Sequence, residues 1–325
     1  MSLIDFLESL SAEQGGSIPF ERFMAAALYD PRFGYYTANI ETVGRRGDFS
    51  TSATRSEELG KAIANWIKAR SSGSPVSVIE LGAGEGSLAR TVLDKAGWWA
   101  RRRWKYRIVE ISSRLREVQR ERLGNSVRWA DSIESALAEC GGNALIFSNE
   151  LVDAFPVVVA AWDGSAWQEV RVSFNRETGL REVFTPLEAG KLDSSALEQN
   201  WQVGQRIEIH DSYRRWIPKL KGGALLTIDY GGSVNEIYHR RPMGTLRGYF
   251  KHQRIEGAKI YQRFGQQDLT ADVNFDDLER WGRNAGLEVR VLENQADWIS
   301  RWGGAKSNLS EADTAFKILE QRPTS

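Results

Sequence analysis

The sequence contains very little of the chemistry that supports a disulfide framework or a metal site. It has one cysteine, Cys140, and three histidines among 325 residues, and the histidines lie far apart from one another and from Cys140. A single cysteine cannot form an internal bridge, and no ligand spacing typical of a metal site is present. We therefore expect a reducing compartment and no bound metal.

The chain also lacks an excess of charge of either sign. Lysine plus arginine and aspartate plus glutamate each total 43, so no overall field favours nucleic acid or an anionic membrane surface as a partner. A local patch is compatible with this balance. The only basic run, RRRWK at residues 101–105, is explained at least as well by a solvated turn between a helix and a strand. We expect neither nucleic acid nor a membrane as a partner.

Long apolar runs are missing as well, and none reaches membrane-spanning length. The first residues, MSLIDFLE, are acidic and resemble neither an arginine-rich presequence nor a secretory signal. These features predict a cytoplasmic protein.

Short apolar runs alternate with helical segments after the break SSGSP at residues 71–75, which is typical of βα units and a mainly parallel sheet. Seven segments are candidate strands: residues 76–81, 106–110, 127–130, 144–149, 224–230, 287–292 and 316–319. The pattern predicts an α/β fold with a Rossmann-like, seven-stranded sheet.

Two regions do not follow this alternation. Residues 1–70 are predicted to form helices and loops, with apolar residues at helical spacing from Ile18 to Leu28 and again from Leu59 to Ile67. Residues 157–162 and 167–174 alternate as a hairpin would around Asp163-Gly164. The predicted segments are a helical N-terminal extension at 1–74, the first part of the α/β domain at 75–155, an insertion beside the sheet at 156–222, and the rest of the α/β domain at 223–325. The long connection 232–268 shows no convincing periodicity.

The strongest local signal is VIELGAGEGSL at residues 78–88, an apolar strand that runs into three alternate glycines, Gly82, Gly84 and Gly86, and then into a helix. Positions without side chains let backbone N–H groups approach a nucleotide-containing ligand. A dinucleotide fingerprint needs a further glycine where Ser87 stands. Glu80, two residues before the first glycine, suits the cationic methionine end of S-adenosylmethionine better than a pyrophosphate.

The next strand ends supply further candidate ligands. Glu110 ends the second strand, where a carboxylate would accept hydrogen bonds from a ribose diol. Trp129 and Asp131 end the third, where an aromatic face and an acceptor suit an adenine. Taken singly, Glu110 is equally a capping or solvated acid and Trp129 a core residue, but three such positions at successive strand ends favour a cofactor site.

The fourth strand ends in SNELVDAFP at residues 148–156. Ligands of open α/β sheets bind beyond the carboxyl ends of the strands, so Asn149, Glu150 and Asp153 are the candidate catalytic residues. Methyl transfer needs an aligned nucleophile and exclusion of water, and two carboxylates suit a cationic nitrogen such as a guanidinium. Helix capping is an equally good explanation for Asp153 or Asn149 alone.

An ordered set of motifs resembles the MidA-type family of S-adenosylmethionine-dependent methyltransferases from about residue 15 to residue 295. The motifs include ALYDP at 27–31, GDFSTS at 47–52, ELGAGEG at 80–86, VEIS at 109–112, NELVDAFP at 149–156 and DLTADVNF at 268–275. Mitochondrial members of that family methylate an arginine on a subunit of respiratory complex I and support its assembly.

The resemblance implies a methyltransferase sheet with S-adenosyl-L-methionine as the cofactor and a protein substrate that carries an arginine. It also implies that the N-terminal extension at 1–74 covers the cofactor as a lid, to which Gly47, Asp48, Thr51 and Ser52 would belong, and that the inserted region at 156–222 faces the substrate. Two departures stand out: Ala83 replaces a frequent proline, and Asp272 replaces a frequent histidine of the pocket.

Two alternatives remain open. The chain could methylate a small molecule in a pocket lined by Trp162, Trp167 and Trp201, although such tryptophans are more often core or cross-strand pairs. It could also be an assembly factor that binds the cofactor without turnover. The sequence does not predict an oligomeric state.

Overall fold

The computed structural model describes residues 1–13, 15–39, 57–71, 74–251, 253–303 and 315–324. These residues divide into two compact units, each built from three stretches of chain. The first unit comprises Met1–Glu41, Val152–Arg215 and Gly232–Asp277, and the second comprises Thr42–Leu151, Trp216–Gly231 and Leu278–Ser325.

The strands are numbered in chain order over the described residues. They are β1 (Ser17–Pro19), β2 (Val76–Leu81), β3 (Trp104–Val109), β4 (Arg128–Ala130), β5 (Asn143–Asn149), β6 (Val158–Trp162), β7 (Trp167–Asn175), β8 (Gly179–Pro186), β9 (Arg206–Ile209), β10 (Gly222–Gly232), β11 (Arg247–Phe250), β12 (Gln253–Ile255), β13 (Asp268–Thr270), β14 (Val273–Asn274), β15 (Leu287–Asn294) and β16 (Phe316–Pro323).

The α-helices of the same residues are α1 (Leu3–Ala12), α2 (Phe20–Tyr29), α3 (Glu57–Ser71), α4 (Ser87–Ala96), α5 (Trp98–Arg101), α6 (Ser113–Leu123), α7 (Ile133–Ala138), α8 (Asp211–Arg214), α9 (Val234–Tyr238), α10 (Phe275–Asn284) and α11 (Gln295–Gly303). Short 3-10 turns cover Gly124–Ser126, Val152–Ala154, Ser195–Glu198 and Gly257–Arg263, and a π-helix covers Tyr35–Asn39. Within these residues no helix is both long and apolar enough to cross a membrane.

A mixed α/β sheet forms the centre of the second unit, as the sequence predicts. Seven of the sheet's eight strands follow one another in the order β15-β16-β10-β5-β2-β3-β4. Strands β10, β5, β2, β3 and β4 are parallel neighbours, whereas β16 is antiparallel to both β10 and β15. Each of the seven predicted segments forms a strand. The sheet has eight strands, one more than predicted, because β14 also pairs with β10.

Helices cover both faces of this sheet because successive strand residues point to opposite faces. Val78 of β2 packs in a cluster with Leu59, Ile63 and Trp66 of α3. Ile79 packs on the other face with Ile133 of α7. The helical spacing read from Leu59 to Ile67 is thereby confirmed, since α3 buries all of its periodic residues.

Antiparallel strands dominate the first unit. The hairpin predicted around Asp163 is confirmed as β6 and β7, with Trp162 opposite Trp167. Its sheet has the order β1-β7-β6-β9, and β8 pairs with β7. Asp163 makes the turn, because its Oδ1 accepts hydrogen bonds from the backbone nitrogens of Ser165 and Ala166, both at 2.8 Å.

Two expectations from the sequence are corrected in this unit. Ile18 belongs to strand β1, so the helix begins only at Phe20; a three-residue strand is too short to leave a period-two pattern. The connection 232–268 carries its own elements, helix α9 and the three-stranded sheet β12-β11-β13. Their short strands, of three or four residues, explain why no periodicity was visible.

Candidate cofactor and acceptor site

The glycine loop after β2 forms the turn that its spacing predicts. Gly82, Gly84 and Gly86 have positive φ angles of 64°, 54° and 77°, which favour glycine strongly. A Cβ atom on Gly82 would lie 2.6 Å from Cδ1 of Leu151. The loop is fixed by hydrogen bonds from the backbone N of Gly82 to the Val109 carbonyl and from Gly86 to Ala83, at 2.9 and 2.8 Å. It leads directly into helix α4, whose first N–H groups face the loop.

Glu80 precedes this loop and is buried, with 2% of its surface exposed. The Tyr106 hydroxyl donates a hydrogen bond to its Oε2 at 2.5 Å. Burial raises the pKa of Glu80 to about 7, which the Tyr106 hydrogen bond partly opposes and the nearby Glu110 carboxylate reinforces. A cation beside Glu80 would relieve this cost, because it favours the ionised carboxylate.

Glu110 follows β3 and is also buried. Its carboxylate accepts hydrogen bonds from the backbone N of Ser112 at 3.0 Å and from Nε2 of Gln119 at 3.2 Å. Burial raises the pKa of Glu110 despite these two donors. Helix α6 begins immediately afterwards, because the Ser112 side chain caps it by accepting from the backbone N of Leu115 at 3.3 Å.

Gln119 joins three parts of this site, and the sequence reasoning did not place it there. The side chain is fully buried on α6. Its Nε2 donates to the Gly84 carbonyl at 2.7 Å and to Glu110, and its Oε1 accepts from Nε1 of Trp129 at 2.8 Å. The available signal was a polar residue midway between Leu115 and Leu123, four residues from each, on the buried face of the helix.

The end of β4 is more exposed than the other two strand ends. Trp129 is half-buried, and the Arg120 guanidinium lies 5.3 Å from its ring centroid. The side chain of Asp131 is 91% exposed and pairs with Arg116 at 2.8 Å. Arg116 also donates to the carbonyl of Glu110 at 2.6 Å. The proposed adenine acceptor therefore lies at the surface, held by an arginine.

The turn after β5 holds two of the predicted catalytic residues against the glycine loop. Glu150 has a φ of 50°, an uncommon conformation for a residue with a side chain. Its backbone N donates to the Ile228 carbonyl at 2.9 Å, and the N of Leu151 donates to Oδ2 of Asp229 at 3.2 Å. The Asn149 side-chain amide donates to Oε1 of Glu150 at 3.1 Å. Both side chains are half-buried.

Asp153, the third predicted catalytic residue, belongs to the first unit, in the turn Val152–Ala154. It is buried, and its Oδ2 accepts a hydrogen bond from the Thr270 hydroxyl at 2.6 Å. Asp268 is buried nearby and accepts from the Tyr36 hydroxyl at 2.8 Å. Burial, and secondly the charge of Asp153, raise the pKa of Asp268 to about 8.

Asp272, which departs from the family pattern, is part of an ion-pair network in the same unit. Its carboxylate pairs with Arg241 at 2.6 Å and with the buried Arg247 at 2.7 Å. The change from histidine to aspartate is therefore accompanied by two cationic partners. The four predicted lid residues, Gly47, Asp48, Thr51 and Ser52, lie outside the described residues.

The order of the parallel strands and the glycine loop with its two buried carboxylates define a methyltransferase-type α/β domain. The sequence model of the family described as "Putative S-adenosyl-L-methionine-dependent methyltransferase" matches residues 58–292. The chain belongs to this family, and its cofactor is S-adenosyl-L-methionine. The buried carboxylates of Glu80 and Glu110, whose pKa values burial raises, fit the polar groups of that cofactor. The absence of a side chain at Gly82, where a Cβ would meet Leu151, fits a ligand that approaches the backbone closely.

Known proteins of this kind are similar over most of the chain. The mitochondrial protein arginine methyltransferase NDUFAF7 of Danio rerio is 28% identical over 85% of this chain and 70% of its own length. The homologue of Drosophila melanogaster is 27% identical over 80% of this chain and 65% of its own. A crystal structure from Burkholderia thailandensis, bound to S-adenosyl-homocysteine, superposes with a TM-score of 0.80 at 26% identity and covers 98% of this chain and 91% of its own.

These relatives also correct one expectation. The composition and the first residues predicted a cytoplasmic protein, but the relatives in zebrafish and fruit fly are named mitochondrial. The prediction is wrong because charge balance and hydropathy do not encode the compartment, which import machinery reads from an address segment.

Proposed function

We propose that the chain methylates an arginine side chain of a protein partner, with Glu150 and Asn149 on the acceptor side of the cofactor. The observation that carries the proposal is the contact between the Glu150 turn and the glycine loop. The Leu151 side chain occupies the space that a Cβ on Gly82 would need. The names of the mitochondrial relatives support arginine as the methylated residue.

The strained backbone of Glu150 supports an acceptor role. A left-handed conformation costs a residue with a side chain about 1–3 kcal/mol, and such residues cluster at functional sites. Here the backbone N–H groups of residues 150 and 151 are both bonded within the second unit. The strain is therefore held by the surrounding fold, and the next residue, Leu151, contacts the glycine loop.

On the cofactor side we propose that Glu80 faces the cationic amino group and that Glu110 accepts from the ribose hydroxyls. The Gly84 backbone N–H is proposed as a donor to the ligand. Gly82, whose own N–H is bonded to the Val109 carbonyl, would allow the ligand a close approach. Asp131 is proposed as the adenine acceptor, and Gly47, Asp48, Thr51 and Ser52 as further cofactor contacts. Gln119 positions this set, because it binds the Gly84 carbonyl and Glu110 together.

The proposed mechanism uses Glu150 as a hydrogen-bond acceptor and a base. When bound, the sulfonium supplies an electrophilic methyl group. The carboxylate of Glu150 accepts an N–H of the guanidinium and orients the nitrogen, assisted by the Asn149 amide. A guanidinium has no free lone pair at neutral pH, so the nitrogen that gains the methyl group must release a proton, which Glu150 takes and passes to water.

Asp153, which belongs to the first unit, is proposed as a further carboxylate with a role in methyl transfer. Its burial and its hydrogen bond from Thr270 fix it in one orientation. The substitution Asp153→Asn keeps the size and one acceptor oxygen. We expect it to lower the transfer rate and to leave cofactor affinity nearly unchanged.

The test is to incubate the purified chain with a protein extract and labelled S-adenosyl-L-methionine, and to identify the labelled amino acid after hydrolysis. We expect labelled methylarginine in the protein fraction. Glu150→Gln should lower the rate by about a hundred- to ten-thousand-fold. Glu139→Gln, which changes a half-exposed carboxylate of the same unit, serves as the matched control.

Other outcomes would overturn the proposal. Label on a different residue type would exclude arginine, and label confined to small molecules would favour a metabolite substrate. The tryptophans considered for such a pocket have packing roles, since Trp162 and Trp167 form a cross-strand pair at 5.4 Å and Trp201 donates to the Ala196 carbonyl at 2.7 Å. Cofactor binding with no labelled product would favour a non-catalytic assembly role.

A further inference from the structure

Two adjacent residues are the most exposed tryptophans of this protein. Trp98 and Trp99 of α5 are 58% and 73% exposed. The other ten of the twelve tryptophans are buried or half-buried. The indoles of α5 therefore differ from the other tryptophans, whose side chains are at least partly buried.

The fold holds these indoles outward. Ala100 of the same helix packs against the core of the second unit. The turn is fixed by backbone hydrogen bonds from Arg101 to the Gly97 carbonyl at 3.0 Å and from Arg103 to the Ala100 carbonyl at 2.9 Å. The exposure of Trp98 and Trp99 thus follows from a hydrogen-bonded backbone and not from a lack of structure.

The residues that follow the two rings in the sequence are cationic, and the Arg102 guanidinium lies 4.7 Å from the Trp98 ring centroid. No aspartate or glutamate occurs between Asp94 and Glu110 in the sequence. In the described part of the chain, no carboxylate lies within ion-pair distance of the exposed Arg102 or Lys105. We call the exposed group the Trp–Arg patch; its members are Trp98, Trp99, Arg102, Arg103 and Lys105.

The patch is remote from the cofactor site within the same unit. It precedes β3, at the amino-terminal edge of the strand, whereas Glu110 follows the carboxyl end. A strand of six residues spans about 20 Å. The methyl-transfer chemistry therefore does not explain why the patch is there.

We propose that the Trp–Arg patch docks the protein on a membrane surface that carries anionic phospholipid headgroups. Indole rings are enriched at the membrane interface because one edge is polar and the rest apolar. Arginine and lysine beside them are attracted to anionic headgroups. The cations of the patch come from the basic run at residues 101–105, which the sequence alone explains equally well as a solvated turn.

Two other occupants fit the patch less well. The two indoles expose roughly 300 Å² at most, whereas a stable protein interface buries about 800 Å² on each partner. For single-stranded RNA, successive bases stack on parallel ring faces, but Trp98 and Trp99 stand at 80° to each other. The Arg102 guanidinium also covers the Trp98 ring at 4.7 Å. A bilayer surface needs neither a large shaped area nor parallel rings.

The test is co-sedimentation of the full chain with vesicles of phosphatidylcholine alone and of an equimolar mixture of phosphatidylcholine and phosphatidylglycerol. We expect binding to the mixed vesicles only, weakened by added salt. The double variant Trp98→Ala with Trp99→Ala should lower vesicle partition at least about tenfold, because it removes both indoles from the membrane interface. The separate double variant Arg102→Glu with Lys105→Glu should also lower it at least about tenfold, because each cation near an anionic surface contributes about fivefold.

Matched controls change exposed residues of the first unit. Phe184→Ala with Met243→Ala removes two exposed apolar side chains, and Arg254→Glu with Lys259→Glu reverses two exposed cations. Both should leave vesicle partition within about twofold of the parent protein. All variants should retain the parent melting temperature and affinity for S-adenosyl-homocysteine, since none touches the cofactor site.

A second readout is quenching of tryptophan fluorescence by brominated phosphatidylcholine in the mixed vesicles, which should disappear in Trp98→Phe with Trp99→Phe. The proposal is overturned by absence of binding to mixed vesicles, or by equal losses in patch and control variants. Binding of poly(U) that the patch variants lose, without vesicle binding, would assign the patch to RNA instead.

Discussion

Two pairs of buried carboxylates differ in how the chain brings them together. Glu80 and Glu110 end neighbouring parallel strands of the second unit, and they lie at the positions where strand ends were expected to place ligands. Asp153 and Asp268 of the first unit meet through residues far apart in sequence: Thr270 is 117 positions from Asp153 and Tyr36 is 232 positions from Asp268. The cofactor-side pair follows from sheet topology, whereas the Asp153–Asp268 pair depends on tertiary packing.

The pairs also differ in what stabilises each carboxylate. Glu110 accepts from a backbone N–H and from an amide side chain, and its neighbour Glu80 accepts from a phenol. Asp268 accepts from a phenol as well, but the charge of Asp153 raises its pKa further. A neighbouring like charge disfavours the ionised form of a carboxyl group. We infer that the first pair is built to meet the polar groups of a ligand, a cation at Glu80 and hydroxyls at Glu110, and that the second pair shares a proton within the fold.

The largest effect is expected from a substitution in the glycine loop that lies between Glu80 and helix α4. Gly82→Ala should lower affinity for S-adenosyl-homocysteine by about a hundredfold or more, because the new Cβ collides with Leu151 at a positive φ. Calorimetric titration measures the change. Adding Leu151→Ala should restore part of the affinity by removing the collision.

Gly97→Ala is the matched control for this substitution. Gly97 has a φ of 79°, and no atom lies within 4 Å of a Cβ built there. It should therefore lose about 1–3 kcal/mol of stability through backbone strain alone and keep its cofactor affinity. Equal loss of affinity in both variants would show that backbone strain, and not the shape of the loop, controls binding.

The next effect tests whether Gln119 positions the cofactor side. Gln119→Leu leaves the Gly84 carbonyl, Glu110 and Trp129 each without one partner. We expect cofactor affinity to fall by about ten- to a hundredfold. Gln321→Leu also removes a buried glutamine of the same unit, bonded to the Leu278 carbonyl at 3.4 Å. If both variants lose stability and neither loses affinity, Gln119 is only a packing residue.

A smaller effect concerns the pH dependence of cofactor binding. With a pKa of about 7, Glu80 is protonated below neutral pH and must lose that proton to face a cation. Affinity should therefore fall by up to about tenfold per pH unit below pH 7. Glu80→Gln should remove this dependence.

Tyr106→Phe should raise the pKa of Glu80, because the Tyr106 hydrogen bond lowers it in the parent protein. Its loss should move the affinity profile to higher pH. Titrations at several pH values between about 5 and 9 measure both variants. A profile identical in the parent and both variants would place the cation elsewhere.

The smallest effect concerns stability and belongs to the Asp153–Asp268 pair. Asp268 has a folded pKa of about 8 against an ordinary value of 3.8. The folded state therefore holds a proton that the unfolded state releases, and stability falls as pH rises from about 4 to about 8. Asp268→Asn should flatten this fall by about 1–3 kcal/mol at neutral pH. Denaturant unfolding at several pH values measures it.

Asp163→Asn gives a control of the opposite sign in the same unit. Turn hydrogen bonds from Ala166 and Ser165 lower the pKa of Asp163 to about 2. The contribution of ionised Asp163 to folding stability is present above pH 4 and is lost as pH falls toward 2. This variant should therefore change stability only on the acid side of the pH profile. If Asp268→Asn also changed stability only at acid pH, the inference that Asp153 and Asp268 share a proton would be wrong.

Local patterns in the sequence were enough to predict the sheet and the strand ends of the candidate cofactor site. Buried parallel strands give apolar runs, and a glycine turn between strand and helix is a local requirement, so Glu80, Glu110 and the loop could be read from spacing. Tertiary structure decided what spacing does not encode. It alone placed Gln119 between the loop and Trp129, left Asp131 at the surface, and gathered Tyr36, Asp153, Asp268 and Thr270. Contacts between distant segments depend on how helices and strands pack within each unit, and no short window of sequence contains both partners.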